Sequence, residues 1–535
     1  MTTAPPAPDA TAGGAVAPRM TKRQINEALT GLMMGIFVSI LASTVVANAL
    51  PRVISDLGGS QSVYTWVVTA ELLAMTATVP LWGKLADLYN QKLLIQLSLS
   101  LFVVGSLLAG FAPNSEVLIA SRVVQGIGAG GLTALVQVVM AAIIPPRELG
   151  RYSGIFGAVF ATGTVAGPLI GGVLVDTDWL GWRWTFFFGV PFALLAIVLL
   201  QKTLSLPTVG RRVKVDYLGA FLIMAGVSTL LIWVTLAGNT FAWASWWTAG
   251  LVTGGLVLIA LALVVESRVE EPIIPLDIFR SRTVSLSTLA SLLVGVAMFG
   301  STVFLSQYFQ LSLGKSPTEA GLLSLPMIFG LMVSSTIAGA LITKTGKWKV
   351  YLVAGAAIMI AGLGLLSTIG AGTSLWVLGA EMAVLGVGVG LLMQNLVLAA
   401  QNDVPAHELG AATSVLSFFR SLGGSVGVSV LGAILANRVA GNIEDQLGPA
   451  AAAAPGGAGH GAVPDLSTLP PELLAVIQNA YGAATGDLFL VAIPFAVLTL
   501  IAVLFIKETP LKTTSGLDRL AEEGHQAPAS PAVPH

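Results

Sequence analysis

The sequence predicts an all-α, multi-pass membrane protein of fourteen transmembrane helices. Two six-helix halves are expected, with two further helices inserted between them. Three observations carry this. Of 535 residues, 55% are hydrophobic and only 10% charged, well under the roughly 25% charge of a soluble domain. Apolar runs of roughly 20 residues recur along the whole length, each able to cross about 30 Å of hydrocarbon. And short sequence echoes relate the first part of the chain to the last.

The spans are expected to start near residues 29, 64, 93, 116, 150, 183, 216, 246, 285, 321, 351, 375, 411 and 485. Each must be a helix, because lipid offers no hydrogen-bond partner and only a helix satisfies its own backbone. The predicted organisation is a disordered tail (1–28), an N-terminal half (29–205), two inserted helices (206–268), a C-terminal half (269–510) with an external loop at 437–484, and a disordered tail (511–535). An even number of spans puts both termini on one side. Twenty of the 26 lysines and arginines fall in loops and tails of that side. Four (Arg52, Arg183, Lys315, Arg438) fall on the other, and Arg122 and Arg420 lie inside spans. The positive-inside rule therefore makes both termini cytoplasmic in a bacterial inner membrane.

Composition excludes several function classes. There are no cysteines, so neither a disulfide framework nor a thiolate metal site is available. All four histidines (His407, His460, His525, His535) fall outside the apolar runs, and no metal site is expected. No phosphate-binding G-x-x-x-x-G-K-[ST] occurs, which disfavours an ATP-driven pump. No polar cluster suggests catalysis, so the chain is not expected to be an enzyme. The first 18 residues lack the basic start and apolar core of a cleaved signal.

The repeat is read from three echoes in the same order. QGIGAGG begins at Gln125 and LGVGVGL at Leu385, an offset of 260. The same offset carries PPRELG at Pro145 onto PAHELG at Pro405, Gly163 onto Gly423 and Gly167 onto Gly427. GKLADLYNQK at Gly83 is echoed by GALITKTGKW at Gly339, offset by 256. Spans 1–6 thus correspond to spans 9–14, the two-half architecture of an alternating-access transporter.

Three stretches carry most of the remaining information. GKLADLYNQK is a tight turn after span 2, where Gly83 lets backbones approach and Asp87 can meet a helix N-terminus; Lys92 is its last residue. The plain alternative is a solvated turn with cytoplasmic lysines. SRVVQGIGAGG places Arg122 inside span 4, where a buried arginine normally faces a cavity or a partner; a purely structural ion pair is the alternative. GPLIGG (Gly167, Pro168, Gly171, Gly172) and the preceding Gly163 put small residues and a helix-breaking proline in span 5, a pattern that permits a kink and is expected to pack span 5 closely against the other half.

Together these stretches resemble the major facilitator superfamily. The first is similar to its signature loop between spans 2 and 3, the second to its arginine motif in span 4. GPLIGG matches the signature of its proton-coupled antiporters. Fourteen spans narrow the resemblance to the drug:proton antiporter branch of EmrB/QacA type. It implies export of hydrophobic compounds, often antibiotics or lipophilic cations, driven by inward proton flow. Leu88 and Asn90 replace the basic residue and glycine usual in the loop motif, and Ala42 stands where span 1 commonly has Asp.

With Ala42 there, the carboxylates well inside spans are Glu71 and Glu381. Both, like Arg122, are expected roughly 10 Å below the external end of their spans, at about 1.5 Å per residue. Glu71, Arg122 and Glu381 are the candidates for proton coupling; a structural pair between Glu71 and Arg122 is the competing account. Asn48, Gln125 and Gln394, with Phe304 and Tyr308, are the candidates for lining a substrate pocket, and plain helix packing is the competing account of the two aromatics. No cofactor is expected beyond a proton gradient. The expected partners are small hydrophobic or amphiphilic substrates, protons and membrane lipids, without nucleic acid, for a monomer. An exporter of an endogenous lipid, siderophore or metabolite is the alternative function.

Overall fold

The structure, a computed structural model, describes residues 22–57, 61–177, 180–204, 216–237, 241–269, 272–447 and 470–520. Its helices are α1 (Lys22–Asp56), α2 (Gln61–Leu88), α3 (Gln91–Gly110), α4 (Ser115–Ile143), α5 (Pro146–Asp176), α6 (Trp184–Phe187), α7 (Val190–Thr203), α8 (Tyr217–Leu236), α9 (Trp246–Glu266), α10 (Arg282–Gln307), α11 (Pro317–Leu323), α12 (Leu325–Thr345), α13 (Lys349–Leu366), α14 (Leu375–Asp403), α15 (Leu409–Leu447) and α16 (Pro471–Leu504). No β-strand forms among the described residues.

Among the described residues, thirteen segments are long and apolar enough to cross a membrane, with α6–α7 and α11–α12 each making one. The remaining helix, α5, has 31 residues and reaches about 46 Å, taking the fifth place of the expected fourteen. Helix starts follow local chemistry. Asn90, Asn114, Ser245 and Ser281 each accept a backbone N–H at the first turn of α3, α4, α9 and α10, as N-caps do.

The two halves repeat each other. α1 packs on α5 as α10 packs on α15; α2 packs on α4 as α12 packs on α14; α3 packs on α4 as α13 packs on α14. The glycines explain the sequence echo. A Cβ on Gly126, Gly128 or Gly130 would strike α2, α3 and α2 in turn. On Gly386, Gly388 or Gly390 it would strike α12, α13 and α12. Two glycine runs 260 residues apart thus let α4 and α14 each sit at backbone contact between two neighbours. The halves meet through α2 against α15 and α5 against α12, contacts that the repeat maps onto each other. α8 lies against α2 and α15, and α9 is held by α8. Trp246 and Trp247 at the start of α9 are 92% and 71% exposed, as interfacial anchors are.

Three predicted boundaries are corrected. α1 begins at Lys22, so residues 22–28 are helical rather than tail. α15 continues to Leu447, and α16 begins at Pro471, running through PELLAVIQNAYG without a break. Both ends of the expected loop at 437–484 are therefore helix, the second of them rich in the helix formers Ala and Leu; residues 448–469 lie outside the described set.

The third correction concerns the C-terminal tail. Residues 508–520 are a strap lying across the face that holds most lysines and arginines, called the basic face below. Trp348 donates its indole N–H to the Thr509 carbonyl (2.9 Å), and Glu508 accepts the backbone N–H of Trp348 (2.9 Å). Lys512 N donates to Asn402 Oδ1 (2.8 Å), whose amide donates to Pro510 O (3.0 Å). Beyond them Arg519 donates to Val404 O (3.2 Å), and Leu511, Ser515 and Arg519 are buried. Arg147 of α5 donates its backbone N–H to Lys512 O (3.4 Å), so the strap touches both halves. Truncation after Lys507 should lower the thermal unfolding midpoint of the purified protein, because Asn402 and Trp348 lose buried partners. An unchanged midpoint would show that the strap adds nothing to the fold.

Candidate functional site

Glu71 and Arg122 form an ion pair sealed inside the N-terminal half. Glu71 is 3% and Arg122 2% exposed, and Arg122 NH2 donates to Glu71 Oε2. The remaining donors are matched as well: NH1 donates to Gln125 Oε1 (2.6 Å) and Nε to Val67 O (3.3 Å). Gln125 in turn donates to Ser106 Oγ (3.0 Å), and Ser43 Oγ donates to Glu71 Oε1 (3.2 Å). The Phe186 ring lies 5.9 Å from the guanidinium carbon. One network therefore touches α1, α2, α3, α4 and α6. The sequence places Glu71 and Arg122 at one depth and offers a structural pair as one account of them; the structure makes them direct partners. Such a pair is neutral overall, and protonating Glu71 leaves a buried, uncompensated guanidinium.

Glu381 of α14 is 7% exposed and its Oε2 has no hydrogen-bond partner. No ion pair joins it to an arginine or lysine among the described residues, so the C-terminal half does not copy the Glu71–Arg122 arrangement.

The loop motif closes the basic face. Asp87 accepts two backbone N–H groups at the start of α15, from Gly410 and Ala411, each at 2.8 Å. A carboxylate against the first amides of a helix also meets the positive end of its dipole. Gly83 faces the same place: a Cβ there would collide with Ser414 and with the Gly410 carbonyl. A Cβ on Gly410 would collide with Gly83 O and the Asp87 carboxylate. Lys92 instead donates to Gln201 O of α7 (2.7 Å) within its own half. A second tie lies at the position that the 256-residue offset pairs with Asp87. There Arg147 Nε donates to Thr343 O (3.2 Å), joining α5 to α12.

The antiporter motif packs within one half rather than between halves. Gly163 sits against Ile40 and Gly167 against Thr44, both on α1, and Thr44 Oγ1 donates to Gly163 O (3.1 Å). Gly171 is buried, and α5 remains one helix through Pro168; the surroundings of Pro168 and Gly172 lie outside the described residues. It is Gly157 that meets the other half, against Leu331 and Met332 of α12.

Of the expected pocket residues whose side chains are described, Gln394 lines a cavity. Gln125 is consumed by Arg122 and Ser106. Tyr308 is fully buried and donates its hydroxyl to Gly370 O (2.7 Å), and Phe304 is 3% exposed in packing. The Asn48 side chain lies outside the described residues. The cavity, about 40 Å³, lies between α4, α5 and α14 and is lined by Gln137, Gln394, Asn395 and Gln401 among apolar neighbours. Both amide atoms of Gln137 are buried without a partner, and the space has room for a few waters. Gln394 also borders a smaller void against Phe156 and Leu331. Sequence reading missed Gln137, although it is a lone carboxamide in the apolar run ALVQVVM.

Comparisons with known proteins agree with this architecture. The family model of the Major Facilitator Superfamily matches residues 32–428. An uncharacterized MFS-type transporter of Mycobacterium tuberculosis is 36% identical over 515 residues, covering 95% of this chain and 73% of the relative. The multidrug transporter protein MdtP of Bacillus subtilis is 35% identical over 421 residues, covering 79% of this chain and 77% of that protein. Multidrug resistance protein 3 of the same organism is 31% identical over 503 residues, covering 92% and 97%. Among solved structures, the proton:xylose symporter XylE superposes with a TM-score of 0.58 at 14% identity, covering 93% of this chain and 99% of that one. At that identity the likeness concerns the fold.

Proposed function

This chain belongs to the Major Facilitator Superfamily, and we propose that it exports small hydrophobic or amphiphilic compounds in exchange for protons, by alternating access. It is a transporter, not an enzyme. The names of the two Bacillus subtilis relatives, a multidrug transporter and a multidrug resistance protein, support drug-like substrates.

The observation that carries the coupling is the enclosed Glu71 carboxylate. It is a proton acceptor whose loss of charge unbalances Arg122 and loosens a network touching five helices. A proton arriving from the outer side is then a structural event in the N-terminal half. With both termini cytoplasmic, the Asp87 latch is the inner gate, and its opening lets Glu71 discharge inward. The partnerless carboxamide of Gln137 and that of Gln394 line one cavity and offer neutral hydrogen-bonding groups to a substrate. The test is dye uptake into inverted vesicles under an imposed pH gradient. Uptake should collapse on adding a protonophore; if no dye in a panel of cations, neutrals and anions responds to the gradient, antiport is wrong.

A further inference from the structure

Arg420 of α15 is a second buried arginine, and it is treated quite differently from Arg122. It is 6% exposed, its NH1 is buried without any hydrogen-bond partner, and no ion pair engages it among the described residues. Counted from Leu409, it stands about 16 Å along its helix, near the middle of roughly 30 Å of hydrocarbon. A guanidinium does not shed its proton to escape such a place. An isolated buried charge is strongly unfavourable, so it implies a partner.

The seam between α15 and α10 holds further donors in the same condition. Ser287, Ser291 and Gly295 recur every four residues and form one stripe of α10. Ser417, Arg420 and Gly424 form a matching stripe of α15. The stripes face each other, since a Cβ on Gly295 would strike the Arg420 carbonyl and the Gly424 amide nitrogen. Ser287, Ser291 and Ser417 are 0%, 1% and 0% exposed, and none of their hydroxyls has a hydrogen-bond partner. One fixed positive charge and three unpartnered hydroxyls are carried by these two packed helices, with no carboxylate paired to them among the described residues.

We propose that this seam of the C-terminal half binds a single anionic group. Its source is either the carboxylate of an exported lipophilic acid or an inorganic anion such as chloride. An anion would supply the missing countercharge and accept hydrogen bonds from donors that otherwise have no use. The assignment to an exported acid rests on the exporter reading above; the existence of the site does not.

The experiment measures binding rather than transport. Purified full-length protein in chloride-free detergent buffer is titrated with decanoate, methyl decanoate, decyltrimethylammonium or chloride. The readouts are the thermal unfolding midpoint and equilibrium binding of radiolabelled decanoate. Decanoate should bind, with the neutral ester and the cation weaker by roughly tenfold or more, the scale of a charge-assisted hydrogen bond. Arg420→Gln should remove that preference, and Arg420→Lys should restore part of it. If Arg420→Gln does not fold, Ser291→Ala combined with Ser417→Ala keeps the charge and should still weaken decanoate selectively. Stabilisation by chloride alone, dependent on Arg420, would assign the site to an inorganic anion. Equal binding of acid and ester, or no anion effect in the wild type, would overturn the proposal. Anion binding that persists in a protein showing no gradient-driven transport would refute the exporter reading and leave this site standing.

Discussion

Glu71→Gln should abolish pH-gradient-driven transport while leaving the protein able to bind its substrate. Glutamine keeps the shape of the protonated acid but cannot release a proton, so the cycle stops with Arg122 uncompensated. Removing one partner of a buried pair typically costs about 3–5 kcal/mol, so the single variant should also unfold at lower temperature. Stability alone therefore cannot separate coupling from architecture. Glu71→Gln combined with Arg122→Gln can, because removing both charges leaves no buried ion and should recover much of the lost stability. With Gln125, Ser106 and Ser43 at hand, both new amides have hydrogen-bonding neighbours. If the double variant regains the wild-type midpoint but not gradient-driven uptake, the pair couples protons to transport. If it regains both, Glu71 and Arg122 are an ornament of the fold, and Glu381→Gln becomes the variant expected to stop transport.

The fold was legible because lipid leaves few alternatives. Length and hydropathy suffice to expect fourteen spans, of which thirteen are long and apolar enough among the described residues, and the two glycine runs reveal the repeat since only glycine permits those backbone contacts. What stayed hidden is what depends on which neighbour a residue faces. Glu71 and Arg122 could be set at one depth from sequence, but depth does not say that they touch. Phe304 and Tyr308 look the same whether they line a pocket or fill a core, and the structure places them in the core. The strap at 508–520 has the composition of a tail. Its order comes from partners more than a hundred residues away, such as Asn402 and Trp348. Gly163 and Gly167 point to close packing, but the partner is α1 of the same half rather than the expected other half, because nothing in the motif says which neighbour the small face meets. The inserted helices were visible as spans, but their seat against α2 and α15 was not.

Asp87→Asn should open the basic face. The wild-type carboxylate accepts from Gly410 and Ala411 with one oxygen each, at the N-terminal end of α15. An asparagine retains one acceptor oxygen, loses the charge, and turns an NH2 group toward N–H donors. Hydrogen bonds to charged groups contribute about 1.5–3 kcal/mol each, so losing one shifts the closed–open balance by roughly 10- to 150-fold. A gate that rests mainly closed would then spend much of its time open, and transport would leak or stall. The absence of cysteines makes the measurement direct. Spin labels on cysteines placed at Glu148 and Lys344, exposed residues beside the Arg147–Thr343 tie, report the separation of the two halves. The wild type should give one short distance; Asp87→Asn should add a long one. Gly410→Val should do the same by a different route, because its side chain would occupy the space of the Asp87 carboxylate and the Gly83 carbonyl. The Arg147–Thr343 tie and the strap remain in both variants, so the short distance should weaken rather than vanish. A distance distribution identical to wild type in both variants would mean that these two ties hold the face shut without the loop motif.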